Sequence, residues 1–134
     1  MEDNPADVRL LKEAFSESQD SHELHTAADG AEALDFVYRR SDHANKPRPD
    51  LILLDINLPK VDGYGVLDAV KGSPDLMRIP VIMLTSSDSR ADVQKAYQHR
   101  ANAYLQKPSD LSDYFHVVQE VTKFWLHVVQ LPNT

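Results

Sequence analysis

The sequence predicts an α/β protein in which helices cover both faces of a parallel, doubly wound β-sheet. Two apolar runs without alternation, Leu51–Leu54 and Val81–Leu84, are typical of strands buried on both faces. Segments with apolar residues at helical spacing separate the predicted strands, and the connections are too long for hairpins. This alternation favours parallel strands within one sheet.

Composition restricts the class of protein. The 134 residues are 42% hydrophobic, which suits one domain over residues 1–134 with a single core. A formal net charge of -7 leads us to expect neither nucleic acid nor an anionic membrane as a partner. The absence of cysteine excludes disulfides, thiolate metal sites and a cysteine nucleophile. With no long apolar run and no signal-peptide pattern, we expect a soluble, cytoplasmic protein.

The first third of the chain predicts a helix, a strand and a second helix. Asn4 suits an N-cap and Pro5 the first helical position, so the first helix should run to about Ser16. The alternating segment Glu23–Ala27 predicts a strand. A second helix then begins at a predicted capping box and carries an apolar face, formed by Asp29 and Glu32 and by Leu34, Val37 and Tyr38. A loop over Ser41–Asp50 leads to the strand at 51–54.

The remainder predicts three more helices and two more strands. The third helix follows a turn at Pro59–Gly63 and ends near Gly72, before the strand at 81–84. Asp88 can cap the fourth helix. The apolar residues of these two helices are Val66, Leu67 and Val70, then Val93, Ala96 and Tyr97. A short strand covers Ala103–Gln106, and the final helix should span about 111–128 before a short tail.

Polar residues directly follow three predicted strands. Asp55, Thr85 and Lys107 occupy these positions, and the carboxyl ends of parallel strands lie at one edge of a sheet. Glu2 and Asp3 would join them if a strand preceded residue 1. Taken singly, Thr85 is more often an ordinary hydroxyl and Lys107 a surface lysine. Together, carboxylates, a lysine and a hydroxyl suit Mg²⁺-assisted phosphoryl transfer with Asp55 as the nucleophile.

Five ordered motifs resemble the receiver domain of two-component response regulators. They are Glu2–Pro5, Leu51–Asp55, Leu58–Gly63, Thr85–Ser86 and Ala101–Pro108. The resemblance covers essentially the whole chain and implies a flavodoxin-like receiver fold. It also implies that Asp55 accepts a phosphoryl group from the phosphohistidine of a histidine kinase.

The resemblance implies a metal site as well. Asp3, Asp55 and the backbone carbonyl of Asn57 would hold Mg²⁺, and Glu2 would assist in the acidic pocket. Receivers have a hydrophobic first strand before this acidic pair, whereas the present chain offers only Met1 there. We therefore expect the sequence to be truncated or to start at a misassigned residue.

The same resemblance assigns a switch. Thr85 and Lys107 would bind the phosphoryl oxygens, and Tyr104 would change rotamer as Thr85 moves. The Lys107–Pro108 bond is a candidate cis peptide by this analogy. Arg100 stands where the family commonly has glycine, so a turn with positive φ would be strained there.

A finer resemblance is to single-domain regulators partnered with phytochrome-type histidine kinases. The segments Asn4–Leu11, Phe124–Leu126 and Leu131–Pro132 carry it. It suggests such a kinase as phosphodonor and a homodimer through the final helix. One face of that helix should cover the sheet, formed by Leu111, Phe115, Val118, Thr122 and Trp125. A second apolar stripe is the candidate dimer interface, formed by Val117, Val121, Phe124 and Val128.

Two functions remain open from the residues. A phosphorylation switch, with at most intrinsic self-phosphorylation and autodephosphorylation, would act by contacts with a downstream protein. The alternative is a Mg²⁺-dependent phosphatase of the haloacid-dehalogenase type, which also uses an aspartate nucleophile. That class requires a second acid two residues after its nucleophile, where this chain has Asn57. The sequence therefore favours the switch.

Overall fold

The computed structural model describes residues 5–16, 24–39, 48–56, 62–86 and 89–132. In these residues a parallel sheet is flanked by helices, as predicted. The elements are α1 Pro5–Ser16, α2 Gly30–Val37, β1 Ile52–Leu54, α3 Gly63–Gly72, β2 Val81–Thr85, α4 Arg90–Gln98, β3 Ala103–Gln106 and α5 Leu111–Lys123, with a π-helical turn Phe124–Val128 continuing α5. In the part of the chain that is described, no helix is long and apolar enough to cross a membrane.

The three described strands lie in the order β1, β2, β3, and both pairings are parallel. Leu54 pairs with Met83, and Met83 pairs with Tyr104. Every residue of β2 is buried, because helices cover both faces of the sheet. Residues of α2 and α3 contribute to one apolar cluster, whereas residues of α1 and α5 contribute to another. This arrangement confirms the doubly wound fold.

The predicted strand at Glu23–Ala27 is not formed in its described part, Leu24–Ala27. Among the described residues, the strands of the sheet are β1, β2 and β3. Alternation of side chains reflects burial on one face, and by itself it does not determine a strand. The expected first strand before the acidic pair concerns residues outside the described ranges, as does the cap predicted at Asn4. The N-cap of α4 is Ser89 and not the predicted Asp88, which itself lies outside the described residues.

The helix bounds agree with the predictions, and two caps explain where helices begin. Asp29 accepts a hydrogen bond from the Glu32 backbone N–H at 2.8 Å, as in the predicted capping box. Asp62 accepts from the Gly65 N–H at 2.9 Å at the start of α3. The apolar face predicted for α4 is wrong at Tyr97, which is half exposed, because only Ala96 of that helix is buried.

The final helix is rotated relative to the predicted assignment of its faces. Its buried residues are Tyr114, Val118 and Val121, at the i, i+4, i+7 spacing of one helical face. Val121 is therefore a core residue, which corrects its place in the predicted dimer stripe. Leu111, predicted to cover the sheet, is 60% exposed. Tyr114, which was predicted for neither apolar face, is one of the buried residues of this helix.

Candidate functional site

Asp55, Thr85 and Lys107 meet at the carboxyl edge of the sheet, as their positions after three strands predict. Asp55 follows β1 and is buried, with 9% of its surface exposed. The Nζ of Lys107 donates a hydrogen bond to Oδ2 of Asp55 at 2.9 Å. Thr85 is fully buried at the end of β2, and its backbone carbonyl accepts from the Lys107 N–H at 2.6 Å. The edge thus holds an ion pair beside a hydroxyl residue.

A fourth residue of this edge, Asp7, was not assigned to the site from the sequence. Its Oδ2 accepts a hydrogen bond from Nζ of Lys107 at 3.0 Å, so one ammonium joins two carboxylates. Asp7 lies in the first turn of α1, where an acid is explained by the helix dipole. Because the helix dipole already accounts for Asp7, nothing in the sequence indicated its contact with Lys107, 100 positions away. Only packing of α1 beside the edge reveals it.

Gly63 lies against the two residues that directly follow β1, Asp55 and Ile56. The Gly63 N–H donates to the carbonyl of Ile56 at 2.7 Å, which ties the start of α3 to the end of the strand. A Cβ at Gly63 would lie 2.2 Å from the carbonyl oxygen of Asp55, so only glycine permits this approach without movement. The Asp55 backbone therefore keeps its position only while residue 63, which packs against it, is a glycine.

The predicted switch residue Tyr104 lies on β3, opposite Met83 and two residues before the partner of Thr85. Its ring is partly buried against the cluster that contains α2 and α3 residues. The Lys107–Pro108 bond is trans, contrary to the analogy, since no cis peptide occurs in the described residues. A trans bond is compatible with the hydrogen bond between Lys107 and Thr85 and is the favoured isomer.

The remaining predicted metal ligands, Glu2, Asp3 and Asn57, lie outside the described residues. Within the described ranges, no group of three acidic, histidine or cysteine side chains is placed to hold a metal ion. Asp55 is the predicted ligand whose environment is visible. Its buried carboxylate is an oxygen ligand of the kind that divalent oxygen-seeking cations prefer.

A second polar cluster, not predicted from the sequence, stabilises the opposite end of the sheet. The buried ammonium of Lys71 donates to the carbonyls of Met77 and Ile79 at 3.2 and 3.0 Å. It also donates to Oδ1 of Asn102 at 2.9 Å. Burial, and then repulsion by Arg100, lower the pKa of Lys71 below its usual value. Arg100 has a positive φ of 73°, which confirms the turn geometry expected for that position.

The chain matches the response regulator receiver domain family over residues 1–119. Among characterised proteins it is 46% identical to "Response regulator Rcp1" from Synechocystis sp., over 98% of this chain and 90% of that protein. It is also 34% identical over 131 residues to "Response regulator PleD" from Caulobacter vibrioides, covering 98% of this chain and 27% of that longer protein.

Solved structures agree with these sequence relatives. The phosphorylated cyanobacterial phytochrome response regulator RcpA superposes with a TM-score of 0.95 at 44% identity, covering 98% of this chain and 94% of that one. The Mn²⁺-bound form of Rcp1 gives a TM-score of 0.94 at 46% identity, covering 98% and 95%. The bacteriophytochrome response regulator AtBRR gives 0.73 at 42% identity, covering 92% and 90%. The comparisons give no support to the phosphatase alternative.

Proposed function

Because the chain belongs to the response regulator receiver domain family, we propose that it is a phosphorylation switch whose phosphoacceptor is Asp55. The observation that supports this role best is the ion pair between Asp55 and Lys107 at 2.9 Å, at a buried strand end. Lysine placed beside the carboxylate supplies positive charge where a phosphoryl group would add negative charge.

The proposed transfer is a displacement at phosphorus. A carboxylate oxygen of Asp55 attacks the phosphorus of a kinase phosphohistidine, a P–O bond forms, and the P–N bond breaks. The imidazole nitrogen keeps the electron pair of the broken bond. Lys107 then donates to an oxygen of the new acyl phosphate. Water can later attack the phosphorus, which releases inorganic phosphate and restores the carboxylate, so the signal has a finite lifetime.

The proposed metal is Mg²⁺, and the Mn²⁺-bound form of the relative Rcp1 supports a divalent cation in this role. Asp55 would hold Mg²⁺ together with Asp3, the backbone carbonyl of Asn57 and the assisting carboxylate of Glu2. The buried carboxylate of Asp55 fits a hard cation, since carboxylate oxygens are the ligands that Mg²⁺ prefers. When bound, the cation neutralises charge that develops on the phosphoryl oxygens.

The proposed response to phosphorylation involves Thr85 and Tyr104. Phosphorylation replaces a singly charged carboxylate by a group of about two negative charges with strong acceptor oxygens. The hydroxyl of Thr85, at the end of the neighbouring strand, moves to donate to one of them. This movement frees space beside β3, and Tyr104 turns into it, which changes the surface of α4, β3 and α5. A downstream protein would recognise that changed surface.

The proposed phosphodonor is a phytochrome-type histidine kinase, by analogy with the phytochrome response regulator RcpA and the bacteriophytochrome response regulator AtBRR. Both are similar to this chain over more than nine-tenths of its length. Transfer of radiolabelled phosphate from such a kinase to wild type, and not to Asp55→Asn, would support this donor.

We also propose a homodimer through the final helix. Phe124 and Val128 are 52% and 68% exposed, and Val117 is half-buried beside them, whereas Val121 belongs to the core. Exposed large apolar residues at the end of one helix favour a protein contact. In sedimentation at micromolar concentration, Phe124→Asp together with Val128→Asp should convert a dimer into a 15.1 kDa monomer. A wild-type monomer would contradict the dimer.

A labelling experiment tests the phosphoacceptor. Wild type, Asp55→Asn and Asp75→Asn are incubated with acetyl phosphate and Mg²⁺, and intact mass is measured. Asp75 is an exposed aspartate away from the site, so its variant controls for loss of charge. Wild type and Asp75→Asn should gain one phosphoryl group, and Asp55→Asn should gain none. Equal labelling of all three would refute the assignment, and repeated turnover of an added phosphomonoester would favour the phosphatase.

A further inference from the structure

We propose that Asp7 is a positioning residue that competes with the phosphoryl group for Lys107 and thereby restrains phosphorylation of Asp55. This inference rests on the proposed function of Asp55. The ammonium of Lys107 donates to Asp7 at 3.0 Å and to Asp55 at 2.9 Å. One cation is therefore shared between the phosphoacceptor and a carboxylate that takes no part in bond formation.

The position of Asp7 is determined by the packing of α1. Leu10, Leu11 and Ala14 of that helix are buried in a cluster that includes Tyr114 and Val118 of α5. Asp7 lies three and four residues before the two leucines, so it occupies the same helical face. The apolar contacts that attach α1 to α5 thus direct Asp7 toward the carboxyl edge of the sheet.

The position of Lys107 is determined independently. Its backbone N–H donates to the Thr85 carbonyl at 2.6 Å, and its ammonium lies 5.8 Å from the centre of the Tyr114 ring. Neither contact depends on Asp7. Loss of the Asp7 charge would therefore leave Lys107 at the site, with its ion pair to the phosphoacceptor intact.

The two ion pairs are shielded from water. The exposed side-chain fractions are 9% for Lys107, 16% for Asp7 and 11% for Asp55. Charges with so little exposure interact more strongly than pairs on the surface, where solvent screening leaves little net effect. A change of one charge at Asp7 should therefore alter the reaction measurably.

The direction follows from the charge balance of the reaction. With acetyl phosphate as donor, Asp55 attacks phosphorus, a P–O bond forms, and acetate leaves with the electron pair of the broken P–O bond. The incoming phosphoryl group brings negative charge close to Asp7, which repels it and holds part of the hydrogen-bonding capacity of Lys107. Removal of that charge should increase the rate of phosphorylation and lengthen the life of the product.

Three variants of α1 test this role. Asp7→Asn removes the charge and keeps the shape, Asp7→Glu keeps the charge, and Glu13→Gln removes a charge from an exposed position of the same helix. With acetyl phosphate and saturating Mg²⁺, Asp7→Asn should be labelled at Asp55 about threefold to tenfold faster than wild type. Asp7→Glu and Glu13→Gln should stay within about twofold of wild type. Far-UV circular dichroism verifies folding, and Asp7→Ser replaces Asp7→Asn if the latter does not fold.

A second background shows whether Asp7 acts through Lys107. In Lys107→Met, addition of Asp7→Asn should change the labelling rate by less than about twofold, because the shared cation is gone. A full increase in that background, or a rate for Asp7→Asn equal to or below that of Glu13→Gln, would overturn the proposal. Absence of label on wild-type Asp55 would instead refute the proposed function, so the two failures are distinguishable.

Discussion

Replacement of Gly63 by alanine should destabilise the segment that carries Asp55. The added Cβ would lie 2.2 Å from the carbonyl oxygen of Asp55 and 2.7 Å from Cα of Ile56. Both neighbours are backbone atoms, so no rotamer change relieves the contact, and α3 or the end of β1 must move. Overpacking of this kind typically costs about 1 to 3 kcal/mol. We expect a value of about 3 kcal/mol, since movement also weakens the 2.7 Å hydrogen bond from the Gly63 N–H.

Gly72 provides a matched control in the same helix. A Cβ there meets no heavy atom within 4 Å, and no described glycine has a positive φ. Gly72→Ala should therefore raise the free energy of unfolding by about 0.5 kcal/mol through helix propensity and reduced freedom of the unfolded chain. The two variants should differ by about 3.5 kcal/mol in urea-induced unfolding.

Phosphorylation gives a second readout for the same pair of variants. Under conditions where both are folded, Gly63→Ala should be labelled more slowly than Gly72→Ala, because the Asp55 backbone has moved relative to Lys107. The reasoning would be refuted if Gly63→Ala unfolded at the same urea concentration as wild type. That result would mean that α3 can withdraw from β1 without loss of packing.

Two further predictions concern the cluster at the opposite end of the sheet. Lys71→Met should lower the free energy of unfolding by about 2 kcal/mol in urea, because the part-buried carbonyls of Met77 and Ile79 lose the ammonium donor and Oδ1 of Asn102 loses one of its two donors. Burial lowers the pKa of Lys71 in the folded protein below the 10.5 of the unfolded chain. Between the folded and the unfolded pKa, the unfolded chain binds more protons, so the stability of wild type increases with pH. The stability difference between wild type and Lys71→Met should therefore grow as pH rises toward 10.5. Arg100→Gly should stabilise the protein by about 1 kcal/mol in the same assay, because glycine adopts a φ of 73° without strain and the repulsion of Lys71 is removed.

Controls separate these effects. Arg39→Gly relieves the other positive φ in the described residues, at 57°. Unlike Arg100, Arg39 does not contribute to the lowered pKa of Lys71. Arg39→Gly should therefore gain less than Arg100→Gly, and an equal gain would show that repulsion of Lys71 contributes nothing. A stability difference for Lys71→Met that falls between neutral and alkaline pH would contradict the sign derived from its pKa.

Several features of the fold and site could be predicted from local sequence patterns. The strands β1 and β2 could be predicted because a strand buried on both faces appears in the sequence as a continuous run of apolar residues. Helix starts such as Asp29 are equally local, since a cap and its donor are three residues apart. The meeting of Asp55 and Lys107 followed from one topological rule, that parallel strands end at the same edge.

Other features depend on the choice of tertiary neighbours. The alternation at Leu24–Ala27 predicted a strand that these residues do not form, because strand formation depends on tertiary packing as well as on the local pattern. Val121 was expected at the surface and is buried, whereas Leu111 was expected to be buried and is exposed. The sequence shows two apolar stripes on this helix, and only its packing against the sheet determines which residues are covered. Lys71 became a buried donor because the turn that follows α3 and Asn102, 31 residues away, enclose its ammonium.

By itself, the sequence determined the order of the five helices and of β1, β2 and β3 in the described residues, the residues at the ends of these strands and the charge chemistry that they support. Only the tertiary structure decided that Asp7 shares the ammonium of Lys107 across 100 residues of chain. The physical reason is that hydrophobic periodicity, caps and turns act over a few residues, whereas this ion pair requires a specific packing of two helices. Packing of α1 against α5 turned an ordinary helix-start aspartate into a neighbour of the phosphoacceptor.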